Sequence, residues 1–396
     1  MKEKIKKVSL KDMCGVVPFL VMILPSFVYK LYLKITKKEL WLIAETENMA
    51  RDNGYVFFKY IRENHSEIKC YYAINFNCQD YKKIKHLGNI IKWSSFKHYF
   101  YYMSATKNIS SHKEGNPNQT LFTILHLYLN LYNNRVFLQH GITKDDAKMF
   151  YYKNTKFKYF ICGAKREYNY IKNKFGYPDE NVVFTGFSRF DNLHHNVNVK
   201  NQILLIPTWR RWFELISDNE EFKKSDYFNK WNSFLNNKKL GKFLNDNNID
   251  LIFYPHSQMK KFINSFDINN GHIKLINDEV DIQKLLIESS LMITDYSSVY
   301  MDFAYMKKPI IYYQFDYSKY RNSHFKEGYF SYEKDGFGPI VKNEDTLVLE
   351  LIKYFNNKYS VDDKYLERMN NFFELNDDNN CNRIFDKLNG CDNYEK

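Results

Sequence analysis

The 396-residue sequence reads as two doubly wound α/β domains in series. Three observations predict this. Short apolar runs of four to six residues recur with amphipathic helical stretches between them, the order that builds parallel sheets. A polar break around 191–200, with His194, His195 and three Asn, interrupts the series, after which it begins again. Compact polar motifs fall just after the strands of both halves, where open α/β sheets place their ligands.

In the first half the apolar runs predict strands at 40–44, 69–74, 89–92, 107–110, 135–139, 159–162 and 182–185. Helices are expected at 49–63, with Val56, Tyr60 and Ile61 toward the core, and at 94–103, 119–132 and 164–175. In the second half strands are expected at 203–206, 251–254, 273–276, 291–294 and 310–313, with helices near 228–235 and over 282–289. The stretch 285–320 has the grammar strand, turn, helix, strand: Asp295 and Tyr296 break the apolar run, Ser297 and Ser298 open a helix carrying Val299, Phe303 and Met306 on one face, and Pro309 stops it. Such a helix start suits an anion, phosphate above all. Asp295 or Ser297 capping the helix is the alternative reading of the same residues.

The resulting division is a membrane-associating segment over 1–38, an N-terminal Rossmann-like domain over 39–196 and a C-terminal one over 197–396 ending in a charged helical tail. Residues 16–29 carry no charge and are flanked by Lys2, Lys4, Lys6, Lys7 and Lys11 on one side and Lys30, Lys34, Lys37 and Lys38 on the other. The run is shorter than the roughly 20 residues of a spanning helix and contains Pro18 and Pro25, so an interfacial or re-entrant anchor on an anionic leaflet is expected. A buried helix of the globular part is the alternative.

A formal charge of +12 calls for an anionic partner. Nucleic acid fits least, because the lysines are dispersed and no zinc-finger spacing, RNP motif or basic heptad occurs. Six Cys without a C-x-x-C pair read as reduced thiols of an intracellular protein. There is no G-x-x-x-x-G-K-[ST] loop, no G-x-G-x-x-G after a first strand and no H-E-x-x-H or strand-end Asp-x-Asp. P-loop hydrolysis, dinucleotide redox chemistry and a tightly held metal are therefore not expected.

Two Rossmann-like domains of similar size are expected to enclose a cleft between the carboxyl ends of their sheets. His140, beside Gly141 after the strand at 135–139, and His256, after the strand at 251–254, occupy equivalent positions in the two halves and can act near neutral pH. Arg210 and Arg211 beside Trp209 form a candidate phosphate or base contact, with a surface loop around a packed Trp as the even alternative. Ser188, Arg189 and Asp191 are expected along the N-terminal side of the cleft. Glu333, in a polar, flexible loop with Gly336, Gly338 and Pro339, is a candidate ribose contact or plain surface charge.

PTWR at 207–210, PHSQ at 255–258, TDYSSVYMDFA at 294–304, KPIIYY at 308–313, FDYSKY at 315–320 and GFGP at 336–339 resemble the CDP-glycerol glycerophosphotransferases that build teichoic acids and related bacterial capsules. ETENMARDNGY at 45–55, QHG at 139–141 and GFSRFDNL at 186–193 resemble the family's N-terminal half. The resemblance runs from about residue 40 to 345. It implies a GT-B-like arrangement, a membrane-docking N-terminus and transfer of a polyol phosphate from a CDP-linked donor, with release of CMP.

The resemblance also implies roles. His140 and His256 become the catalytic pair, and Ser297 and Ser298 hold the donor phosphates; from their own positions, Arg210 is expected with those phosphates and Asp295 and Glu333 as candidate nucleotide or ribose contacts. By the same positional reading, Lys144 and Arg189 are expected on the acceptor side. The family often has Trp before His-Gly and Lys soon after; Gln139 and the offset Lys144 depart from that pattern, which bears on acceptor identity. The implied partners are CDP-glycerol or CDP-ribitol, an anionic polymer or lipid-linked acceptor, and the anionic cytoplasmic face of the bacterial plasma membrane, with no tightly bound cofactor. The competing readings are a GT-B capsule glycosyltransferase using a nucleotide sugar and an inactive membrane-bound scaffold.

Overall fold

The computed structural model describes residues 14–194, 199–216, 218–276 and 280–390. The chain forms two compact units. One comprises Met1–Ile142, Lys148–Asn192 and Asp377–Lys396; the other comprises Thr143–Ala147 and Leu193–Asn376. This differs from the sequence division at three places: the described part of the N-terminal segment groups with the first unit, residues 143–147 pack with the second unit, and the tail from Asp377 packs with the first. The boundary read near 196 itself lies outside the described residues, as do Cys391 and the lysines before residue 14.

The first unit holds a seven-stranded parallel sheet of β1 (Leu40–Ala44), β2 (Lys69–Ile74), β3 (Ile90–Lys92), β4 (Lys107–Ser110), β5 (Arg135–Phe137), β6 (Tyr159–Cys162) and β7 (Val182–Phe184). Its order is β3-β2-β1-β4-β5-β6-β7, so the winding reverses between β1 and β4. β1 is LWLIA, buried at every position, as a central parallel strand covered on both faces requires.

The second unit holds β8 (Gln202–Ile206), β9 (Asp250–Phe253), β10 (Ile273–Leu275), β11 (Leu291–Thr294), β12 (Ile310–Tyr313) and β13 (Ile340–Val341). All are parallel, in the order β10-β9-β8-β11-β12-β13, with the reversal between β8 and β11. β13 has only two residues, too few for an apolar run to announce it. Trp231, Phe222, Phe262 and Tyr313 centre an aromatic core against β8 and β9.

The N-terminal apolar run is part of a longer helix, Val16–Thr36, continuous through Pro25 and long and apolar enough to cross a membrane by length and composition alone. One side rests on the helix Phe96–Ser104, with Phe19 against Phe122 and Tyr29 against Phe100. The other side bares Leu20, Leu24, Phe27 and Leu31. Among the described residues Cys14, Cys70, Cys78, Cys162 and Cys381 are free cysteines, with Cys70, Cys162 and Cys381 buried.

The turn at the β8/β11 reversal is built on one side chain. Arg210 is 0% exposed. Its Nε donates to Asp316 Oδ2 at 2.8 Å, its Nη2 to Asp295 Oδ2 at 2.8 Å and Asp316 Oδ1 at 3.0 Å, and its Nη1 to the Thr208 carbonyl at 2.7 Å. The rings of Tyr227, Tyr296 and Tyr320 lie 4.9, 4.9 and 5.2 Å from the guanidinium carbon. Burial alone would lower its pKa, but Asp295 and Asp316 raise it well above the ordinary arginine value, so the charge stays. Asp295 in turn accepts Thr208 N–H at 2.8 Å, tying the end of β11 to the end of β8.

Truncating Arg210 strands two carboxylates in a closed site. Arg210→Ala is expected to lose roughly 3–5 kcal/mol of unfolding free energy in urea titration, and Arg210→Lys, which lacks the planar fork, to fall between. Wild-type stability in the alanine variant would remove Arg210 as the clamp.

Candidate active site

In the first unit, three motif stretches meet through Asn53. The buried Glu45, just beyond β1, accepts the backbone N–H groups of Arg51, Asp52 and Tyr55 at 3.0, 2.9 and 2.8 Å. This carboxylate and the Asp52 cap start the helix Asn53–Asn64 four residues later than its apolar spacing suggests. Burial first, and then Asp52, push the Glu45 carboxyl up to about 7.

Asn53 Nδ2 donates to the carbonyls of Leu138 and Gln139 at 3.3 and 2.8 Å, its Oδ1 accepts from Arg189 N–H at 3.0 Å, and its own carbonyl accepts from Ser188 Oγ at 2.7 Å. The loop bearing His140 and the turn bearing Arg189 are thus pinned to one helix start. Gln139, at φ +60°, sits in the left-handed region that an L residue adopts at a cost. Its amide donates to Ile161 O at 2.7 Å and Glu167 Oε1 at 3.0 Å, which holds it there and turns His140 outward to an exposed position.

The His140 ring stacks on His112, with centroids 4.8 Å apart and planes 7° from parallel. His112 follows β4, at the winding reversal of this sheet. Burial and then the neighbouring His140 hold its pKa down at about 4, Arg189 adding to them and Asp52 opposing. Arg189 itself is buried, its Nη1 donating to Asp52 Oδ1 at 2.8 Å. Asp191 does not line this cluster; it accepts Asn380 and Cys381 N–H groups at 2.8 Å each and fixes the helix Asn380–Asn389. Glu45 and Asp52 fall within the 45–55 motif, but no sequence signal singled out His112, whose meeting with Asp52 depends on the ends of β1 and β4 converging.

In the second unit, His256 follows β9 and is exposed at the start of the 3-10 turn Ser257–Ser265. Its Nδ1 accepts Gln258 N–H at 3.3 Å, which leaves the proton of the neutral ring on Nε2, as a donor. Partial cover of the ring lowers its pKa from the usual histidine value, favouring that neutral form.

Ser297 and Ser298 are half-buried just beyond β11, but the helix expected to begin there runs only Tyr300–Tyr305 and has no side-chain cap at Val299. Asp295 does not cap it either. Being 0% exposed and spent on Arg210, Thr208 and Tyr296, it is a scaffold group rather than a nucleotide contact. Arg210 likewise presents no face to a phosphate.

Lys144 is buried and paired with Asp145, which Arg321 Nη1 also reaches at 2.6 Å, and its ammonium lies 5.2 Å from the Tyr332 ring centre. Burial lowers its pKa, with Asp145 pulling the other way. It belongs to the second unit, not to the N-terminal domain in which the sequence division puts it. Glu333 is exposed on the short helix Tyr332–Asp335. The loop after it is not flexible packing: Gly336, Phe337 and Gly338 are buried, and a Cβ on Gly338 would run into the Ile310 carbonyl oxygen. Among the described residues no group of three or more His, Cys, Asp or Glu side chains could hold a metal ion.

The sequence profile described as CDP-Glycerol:Poly(glycerophosphate) glycerophosphotransferase matches residues 26–390. The chain is 35% identical over 382 residues to the minor teichoic acid biosynthesis protein GgaB of Bacillus subtilis, covering 94% of this chain and 42% of that protein. It is 26% identical over 225 residues to a teichoic acid glycerol-phosphate transferase of Staphylococcus aureus, covering 52% of this chain and 54% of that protein. It thus spans about half the length of these relatives. The structure of the wall teichoic acid polymerase TagF superposes with a TM-score of 0.67 at 17% identity, over 97% of this chain and 98% of that one, so the two share the GT-B-like fold. On the breadth of that match, the chain belongs to the CDP-glycerol:poly(glycerophosphate) glycerophosphotransferase family.

Proposed function

We propose that this protein transfers a polyol phosphate, glycerol phosphate first among candidates, from a CDP-linked donor to a hydroxyl of a growing teichoic-acid-like or capsular polymer. The observation that carries the reading is His140: an exposed imidazole after β5, turned outward by a buried, hydrogen-bonded Gln139. The acceptor oxygen attacks the phosphorus that bears the polyol, His140 takes the hydroxyl proton, the bond to CMP breaks, and CMP leaves with the electron pair. In the second unit His256 Nε2–H and the hydroxyls of Ser297 and Ser298 offer donors to the diphosphate and to the charge that grows on the leaving group. Glu333 is the candidate ribose contact, being the exposed carboxylate of the short helix Tyr332–Asp335. Arg189 acts on the acceptor side through Asp52 rather than by touching substrate.

The bare face of Val16–Thr36 gives a second part to the proposal: peripheral docking at the cytoplasmic face of the plasma membrane, helix axis along the surface, since its other face is taken by Phe100 and Phe122. The net charge of +12 suits both an anionic leaflet and an anionic polymer.

With CDP-glycerol and a glycerol-phosphate oligomer, His140→Ala is expected to slow CMP release by about 10²-fold or more while still binding CDP-glycerol in calorimetry. The double variant S297A/S298A should mainly raise KM for the donor. Turnover of His140→Ala near the wild-type rate would end the assignment. For the membrane part, Leu24 and Phe27 are 69% and 65% exposed, and L24E/F27E should cut co-sedimentation with phosphatidylglycerol vesicles about tenfold or more. Equal sedimentation of both proteins refutes docking by this face.

A further inference from the structure

We propose that His112 is a positioning residue for His140, lying flat against its imidazole and supporting the positive charge that forms there when the acceptor's proton is taken. This rests on His140 being the base of the reaction proposed above.

Geometry supplies the argument. The two rings are nearly parallel, at 7°, with a centroid separation of 4.8 Å that fits an offset stack. His112 is set by its own backbone, its N–H donating to Ser110 Oγ at 3.0 Å directly beyond β4. Its Nε2 is buried without a hydrogen-bond partner, 3.8 Å from Asp52 Oδ2. The other Asp52 oxygen accepts from Asn53 N–H at 2.7 Å and Arg189 Nη1 at 2.8 Å.

The charges acting on His112 besides its neighbour are Asp52 and Arg189, with Glu45 next to Asp52, and the Phe150 ring lies 6.4 Å from that of His140. Asp52 and Arg189 compensate each other. A neutral His112 presents an electron-rich face to its neighbour, whereas two stacked imidazolium rings would repel. The pair is thus built to carry one proton, which belongs on the exposed ring that can meet a substrate.

The test uses the full chain labelled at histidine Cε1, with the His140 resonance assigned from its loss in His140→Ala. His112→Ala is expected to lower the His140 titration midpoint by about half a pH unit, the worth of one exposed cation–ring contact. It should also lower kcat for CMP release about tenfold at unchanged KM for CDP-glycerol. His112→Phe keeps the flat face and should recover most of both effects; it also stands in if the alanine variant does not fold. An unmoved midpoint in His112→Ala, or a phenylalanine variant displaced as far as the alanine one, overturns the inference. If the wild-type protein releases no CMP, the reaction proposed above fails, while the midpoints still decide whether His112 supports charge on His140.

Discussion

The buried guanidinium of Arg210 is the constraint on which the second unit depends. An isolated charge in that position would be prohibitively costly, so two carboxylates and three aromatic rings must be delivered to it. Asp295 comes from the end of β11, Asp316 from the segment after β12, and Arg210 from the end of β8. The sequence blocks that look like separate motifs are one ion-paired assembly. Its function is geometric: with Arg210 and Asp295 locked to each other, the residues that follow, Ser297 and Ser298, emerge at a fixed place beyond the sheet.

Asn53 does the corresponding work in the first unit without charge. A single side-chain amide joins the loop before His140 to the turn that carries Arg189. The two units therefore solve one problem in two ways, a saturated ion pair in one and a saturated amide in the other. In each, the residues with satisfied polar groups are scaffold, and the imidazoles of His140 and His256 beyond them stay exposed.

Much of this could be read from the residues. Strand periodicity located most of the strands, because parallel strands covered on both faces leave continuous apolar runs such as LWLIA and LMIT. Strand-end logic also put His140 and His256 beyond β5 and β9, where the structure has them, exposed. It failed where meaning depends on partners distant in sequence: Arg210 beside Trp209 looked like a phosphate hand until Asp316, 106 residues on, claimed it. Lys144 reads as part of the N-terminal domain for the same reason, since Tyr332 beside it and Arg321 on its partner Asp145 follow β12. GFGP looked loose because glycine signals freedom in a sequence, while here Gly338 is glycine for want of space beside Ile310. The short helix Tyr300–Tyr305 starts late because its first turn is given over to the 297–299 bend.

The return of the chain to the first unit has a consequence for how the protein is made. Phe385, on the helix Asn380–Asn389, lies 5.7 Å from Trp41 and stacks on His65 at 3.5 Å, while Asp191 receives the start of that helix. The first unit is therefore open along one side until residues almost 190 positions beyond Asp191 have been synthesised. During translation the second unit can close first, although it is encoded later, and the half bearing His140 is completed last. Exposed Trp41 on the nascent chain is the hazard of that order, and the helix Asn380–Asn389 is what ends it.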